Sequence, residues 1–226
     1  MFGLLSMGLI GLKQSQQLHL FFDVPSPSSR RYFATMGTIS IQDDVAILAD
    51  FIKSRKHLIC LTGAGISTNS GIPDYRGENG SYKKGHKPML HSDFVGDELS
   101  RKRYWARSSV GWKFFTNARA NKAHYALAIL ERKTLLKHTI TQNVDQLHQK
   151  AGSQNVIDLH GRNDLVTCLA CGSIQSRKIL QQQLELLNPD FMENILLLDK
   201  RESIRADGDA ELLKADYEQV KILDAT

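Results

Sequence analysis

Apolar positions fall on one helical face over residues 41–56, at Val45, Leu48, Ala49 and Ile52. The pattern then changes. Leu58, Ile59, Cys60 and Leu61 form a short unbroken apolar run, which predicts a buried strand. A glycine-bearing turn follows, and a short helix is expected from Ser67 until Pro73 stops it. Residues 74–98 are rich in Gly, Lys, His and Asp and read as a long mobile loop. Helical spacing returns over 104–115 and 123–132. The stretch "HTITQNVDQLHQKAG" predicts a strand over 138–141, a turn, and a short helix closed by Gly152. A second short strand is expected in "NVIDLHG", ending at His160, and a helix over 178–187, ending before Pro189. Alternating strands and helices predict an α/β fold with a largely parallel sheet. No internal repeat is present.

Composition adds a few constraints. The 226 residues are 42% hydrophobic and 23% charged, as in an ordinary globular chain. No apolar run reaches 18 residues, so no membrane-spanning helix is expected. The net charge of +5 is unevenly spread. Ten Lys or Arg and a single acid, Glu131, lie between Arg101 and Lys137. That stretch suits a phosphate-bearing ligand, an acidic partner or simply a solvated helical face. No nucleic-acid-reading motif accompanies it, so no nucleic-acid partner is expected. Three cysteines, Cys60, Cys168 and Cys171, argue for a reducing compartment, with Cys60 a small buried hydrophobe. Residues 1–42 contain one acid, Asp23, many Ser and Gln, and the run "RRYFAT". This composition fits a mitochondrial transit peptide cut near Phe33 or Ala34, with delivery to the matrix. A secretory signal and a disordered tail are the rival readings.

Four local patterns carry candidate chemistry. The first is "GAGISTNSGIPDYR" at 63–76. Gly63 and Gly65 are spaced as in a dinucleotide-binding turn, but Thr68 stands where the third glycine belongs. Backbone N–H groups in such a turn form an anion site for a pyrophosphate, and Arg76 can pair with a phosphate or with a surface acid. The second is "TQNVD" at 141–145. Gln142, Asn143 and Asp145 follow a strand, where open α/β sheets bind ligands, although Asn and Asp also serve as turn and cap residues. In the third, "DLHG", His160 is either a base near neutral pH or a structural histidine. In the fourth, Cys168 and Cys171 form a CxxC, half of a structural zinc site; a redox pair is the alternative.

In this order the four patterns resemble the sirtuins, the NAD-dependent protein lysine deacylases. "QNVDQLHQKAG", "RYWAR", "FVGDELSRKRYW" and "NKAHYAL" are most similar to the mitochondrial sirtuin-four-like group. The resemblance covers residues 42–226. It implies an incomplete Rossmann-like parallel sheet with helical and partial zinc-ribbon insertions, after a leader over 1–40. It also implies roles for individual residues. Gly63, Ala64 and Gly65 would hold the NAD pyrophosphate, with Asp74, Tyr75 and Arg76 in the same motif, Tyr75 flanking the nicotinamide and Arg76 near the phosphates. Gln142 would contact the ribose, and Asn143 and Asp145 the carboxamide. His160 would be the general base while the acyl group of an acylated protein lysine passes to ADP-ribose. Tyr104 and Arg107 form a Tyr-x-x-Arg pair that either receives an acidic acyl group or leaves an exposed Arg on one helical turn.

Sirtuins continue with a second CxxC and further strands, so this chain is expected to stop short of both. Two classes of function follow: an NAD-dependent deacylase or ADP-ribosyltransferase, and a non-catalytic fragment that binds partners. This chain is expected not to hold zinc stably, because two thiolates cannot fill a tetrahedral shell, and the acidic tail is expected to lack a packing surface. A dehydrogenase is disfavoured, since no acidic ribose reader stands about 20 residues beyond the turn.

Overall fold

The computed structural model describes residues 3–7, 41–78, 80–83, 89–197 and 212–223. Its centre is a four-stranded parallel sheet in the order β1-β2-β3-β4. The strands are β1 (Gly3–Met7), β2 (Leu58–Thr62), β3 (His138–Thr141) and β4 (Val156–Asp158). β1 falls inside the segment expected to be a leader and pairs with β2 from Gly3 opposite Leu58 to Met7 opposite Thr62. The expected cut near Phe33 lies outside the described residues.

Helices α1 (Ile41–Ser54) and α4 (Lys122–Arg132) supply the first core. Asp43 and Asp44 open α1 and Lys53 closes it, each charge opposing the helix dipole. Leu58 and Cys60 from β2 meet Ile66, Leu127 and Leu136, with Phe51 and Ile52 of α1 packed beside them. Burial pushes the Cys60 thiol up to about 12, so it remains a neutral hydrophobe.

The turn after β2 enters a 3₁₀ helix, Ala64–Ser70, three residues earlier than periodicity predicts. Gly71, at φ 85°, ends it before Pro73 is reached. The expected long loop is also corrected. It contains α2 (His91–Gly96), and α3 (Glu98–Asn117) begins two residues later. Six residues are too few for a periodic signal, and the α3 start is fixed by Asp97, whose carboxylate accepts the Ser100 N–H at 2.6 Å.

A second unit follows the sheet. β5 (Leu165–Thr167) and β6 (Ile174–Ser176) form an antiparallel hairpin. α5 (Leu147–Lys150) precedes β4, while α6 (Arg177–Leu187) and α7 (Pro189–Leu197) follow the hairpin. Pro189 opens α7, where its missing N–H costs nothing. Trp105 of α3 packs with Leu180 and Leu184 of α6, flanked by Phe94, Val166, Ile222 and Leu223. Arg177 lies over both Trp105 and Trp112, 5.3 Å from each ring centroid.

The tail therefore does have a surface to pack on, contrary to expectation. Beyond α8 (Lys214–Tyr217), Val220 is buried. The Asn188 side chain pairs both ways with the Lys221 backbone, donating to its carbonyl at 2.9 Å and accepting its N–H at 2.7 Å.

Candidate active site

The carboxyl ends of β2 and β3 lie side by side, with Thr62 opposite Thr141. The chain leaving each strand therefore enters one crevice, the position where parallel sheets bind ligands. Gln142 donates its N–H to the Thr62 carbonyl at 3.0 Å, which ties the two exits together.

From these exits Gly63, Asn143 and Asp145 converge on Ser67. The Asn143 side-chain amide donates to the Gly63 carbonyl and to Ser67 Oγ, both at 3.1 Å. Ser67 Oγ donates to Asp145 Oδ2 at 2.6 Å, and Leu147 N–H donates to Oδ1 at 2.9 Å. Asp145 thus braces the turn into α5, the structural role that its residue type allowed, from a position beside the strand exits. Between Asp145 and Leu147 the backbone turns through a left-handed conformation at Gln146, φ 62°. Such a geometry in a non-glycine residue costs of order 1 kcal/mol and persists where the surroundings impose it.

Above this network the turn is open. A side chain added at Gly63 would meet only Gln142 Oε1, at 4.0 Å. Ala64 and Gly65 continue into the 3₁₀ helix, where Thr68 Oγ1 donates to the Gly65 carbonyl at 2.9 Å. Gln142 and His160 are exposed. His160 Nδ1 stands 3.0 Å from the Gln142 carbonyl. A carbonyl only accepts, so Nδ1 carries the proton and Nε2 of the neutral ring keeps its lone pair.

Asp74, Tyr75 and Arg76 occupy a separate turn. Ser81 and Tyr82 donate their N–H groups to the carbonyls of Asp74 and Tyr75, both at 3.0 Å, and the two tyrosine rings lie 5.3 Å apart. The Asp74 carboxylate accepts the Gly77 N–H at 2.8 Å, and Arg76 is exposed. A Cβ at Gly80 would come within 2.5 Å of the Tyr75 carbonyl, so only glycine closes this turn.

Tyr104 and Arg107 lie on α3, away from the strand exits. Tyr104 contacts Phe94 and Trp105 edge-on, with centroids 5.0 and 4.9 Å apart. Arg107 is 4% exposed, which overturns the reading of it as a solvated helical charge. Cys168 and Cys171 stand at the tip of the β5–β6 hairpin. There Cys168 N–H donates to the Ser173 carbonyl and Gly172 N–H to the Cys168 carbonyl, each at 2.9 Å, with Gly172 at φ 71°. A hydrogen bond with Ser173 holds the Cys171 thiol below its ordinary pKa. No group of three metal-ligating side chains occurs among the described residues.

Ser67, Thr62, Asn121, His124 and His148 also belong to this crevice, and sequence reasoning missed them. His124 shares the buried face of α4 with Leu127 and Ala128 at i+3 and i+4, a spacing that could have marked it.

A Sir2 family model matches residues 63–198, more than half of the chain, and the chain belongs to the Sir2 family. It is 42% identical over 203 residues to the NAD-dependent protein deacylase Sirt4 of Drosophila melanogaster, covering 89% of this chain and 63% of that protein. It is 47% identical over 175 residues to NAD-dependent protein deacetylase 2 of Bradyrhizobium diazoefficiens, covering 77% and 62%. A solved Sir2 structure with a deacetylated p53 peptide and 3'-O-acetyl ADP-ribose superposes with a TM-score of 0.55 at 36% identity, over 62% of this chain and 56% of that one. The chain thus spans about six-tenths of the length of these curated relatives.

Proposed function

We propose that this chain carries the nicotinamide-handling half of an NAD-dependent protein lysine deacylase, with ADP-ribosyl transfer as the related use of the same cofactor. One observation carries the reading. Asn143 and Asp145 are locked on Ser67 under an open glycine turn, while His160 is held at the rim by Gln142. The names of the matched relatives and the ligands of the superposed Sir2 structure support it.

The residues present fit NAD. The turn is open at Gly63, which leaves room for a pyrophosphate against the backbone of Gly63, Ala64 and Gly65, and Arg76 is an exposed cation for the same group. Bound NAD supplies an electrophilic ribose carbon with nicotinamide as its leaving group. Both Asn143 amide protons are already engaged, so Asn143 Oδ1 and the Asp145 carboxylate would offer acceptors to a carboxamide NH2, in a setting where an unpaired amide is costly. Gln142 reaches a ribose hydroxyl from the rim. His160 presents a bare Nε2 and takes the proton of a hydroxyl on the substrate side. An acylated lysine on a protein is the second substrate.

Cys168 and Cys171 suit two of the four ligands of a structural zinc, which would brace the hairpin tip. Zinc titration tests that assignment: uptake that is weak and lost in Cys168→Ser supports it, and uptake unchanged in that variant would remove it. The acid-poor leader supports entry into the mitochondrial matrix; a reporter fused after residue 40 that stays in the cytosol would count against it.

The central test compares the whole chain with His160→Tyr. The wild type is expected to bind NAD by calorimetry and to turn over an acylated lysine peptide. The variant is expected to keep NAD affinity within about threefold and to lose at least a hundredfold in turnover. Equal turnover in both, or no NAD binding by the wild type, would overturn the reading.

A further inference from the structure

Beneath the glycine turn two imidazoles meet. His124 on α4 and His148 on α5 are 0% and 1% exposed, and their ring centroids lie 4.9 Å apart at an interplanar angle of 60°. Each ring has one nitrogen bonded and the other buried without a partner. His148 Nε2 bonds Thr62 Oγ1 at 2.9 Å, and its Nδ1 has no partner. His124 Nδ1 accepts the Asn121 N–H at 3.3 Å, and its Nε2 has no partner.

Asn121 extends this line to the 3₁₀ helix. Its side-chain amide donates to the Ile66 carbonyl at 2.8 Å and to Ser70 Oγ at 3.0 Å. Between Ile66 and Ser70 stands Ser67, which holds Asp145, and Asp145 in turn caps α5, the helix of His148. The contacts therefore form a closed circuit from the end of β2 through α5, α4 and the 3₁₀ helix and back to α5. Three chain segments remote in sequence, β2 with its 3₁₀ helix, α4 and α5, are fixed relative to one another by it.

We infer that His148, His124 and Asn121 are positioning residues for the nicotinamide crevice, acting as a buried neutral imidazole pair that keeps Ser67, Asn143 and Asp145 in register. The inference rests on the function proposed above and deepens it. Neutrality follows from the surroundings. A charged ring needs a partner for each N–H, and each ring has a partner for one nitrogen only. Burial, followed by the neighbouring His148, pulls the His124 pKa down to about 4. The charged groups facing His148 are Asp145 and Asp158. They favour its protonation, but burial outweighs them and the pKa is lowered. A core histidine that merely filled space would tolerate an apolar residue of similar size. A histidine that positions through Nε2 would not, yet would tolerate glutamine, whose terminal amide can still meet Thr62.

The test uses the whole chain with His148→Leu, His148→Gln and Thr62→Val. Ring nitrogen shifts of His124 and His148 are followed by NMR from pH 5 to 8, with the backbone amides of Ser67, Asn143 and Asp145. Affinities for NAD and ADP-ribose are measured by calorimetry. Both rings are expected to stay neutral across this range. His148→Leu and Thr62→Val should move the three amides and weaken NAD binding more than tenfold, with ADP-ribose affected less than threefold. His148→Gln should restore NAD binding to within threefold. If His148→Leu fails to fold, Thr62→Val still removes the bond without removing the ring. Rings that titrate near pH 6.5, or amides unmoved in a folded Thr62→Val, would overturn the inference. A wild type that binds no NAD would sink the proposed function, while the ring and amide signals would still decide the relay.

Discussion

The two halves of the molecule are held together by different forces. Around the sheet ends, segments far apart in sequence are joined by directional bonds: Asn143 to Gly63, Ser67 to Asp145, Asn121 to Ile66. Around α3 and α6 aromatic and apolar contacts form the centre, with Trp105, Leu180 and Leu184 packed together and Arg177 lying over two tryptophans, beside the bond from the Gln181 amide to the Ser109 carbonyl. Directional bonds fix positions and apolar burial supplies stability, so the reactive groups sit where geometry is tightest.

The largest expected effect breaks the apolar half. Leu180 is 0% exposed, and Leu180→Ala should cost about 2–5 kcal/mol by denaturant unfolding. Hydrogen exchange should show the segment around Val220 opening, while the amides of Gly63–Ser70 remain protected. Loss of protection in both at once would show that the halves are a single cooperative unit.

A second effect breaks the polar half. Asp145→Ala removes the acceptor of Ser67 Oγ and of Leu147 N–H, and each stranded buried donor costs about 1–3 kcal/mol. Under the proposed function NAD affinity should fall more steeply than stability. A variant that loses stability and keeps full NAD affinity would confine Asp145 to helix capping.

The smallest effect is set by pH. His124 is held near 4 in the fold against 6.5 in the unfolded chain, and His148 is shifted in the same direction. Between those values the unfolded chain binds more protons, so stability declines as pH falls from about 6.5 toward 4 and is unaffected by these groups above that window. His124→Gln should flatten this slope in thermal melts. An unchanged slope between pH 6.5 and 4 would remove His124 as its source, because carboxylates such as Asp164 and Glu185, shifted downward from 3.8 and 4.5, act at the acid end of that window and below.

Much of the sheet half was legible in the sequence. Apolar periodicity located α1, β2, β3 and α4 to within a few residues, because each is long enough or apolar enough to show its period. In the helical half α6 was placed to within a residue and the body of α3 was found, but the short elements were missed. β5 and β6 have three residues each and α2 has six, too few to reveal a period, and the fit of Val220 and Leu223 onto α6 is a tertiary property. In the site, the glycine turn, Gln142, Asn143, Asp145 and His160 stood out as polar residues next to apolar strands. His124 and His148 did not, since a polar residue inside an apolar helical face has no local signature of its partner on another helix.

The clasp of Asn188 on Lys221 joins two points 33 residues apart through bonds that depend on neither the length nor the content of the chain between them. Loop-closure entropy grows only logarithmically, about 0.6 kcal/mol for each doubling. A change in the length of the interval is therefore expected to cost little while the clasp is kept, and to leave the crevice at the strand ends undisturbed.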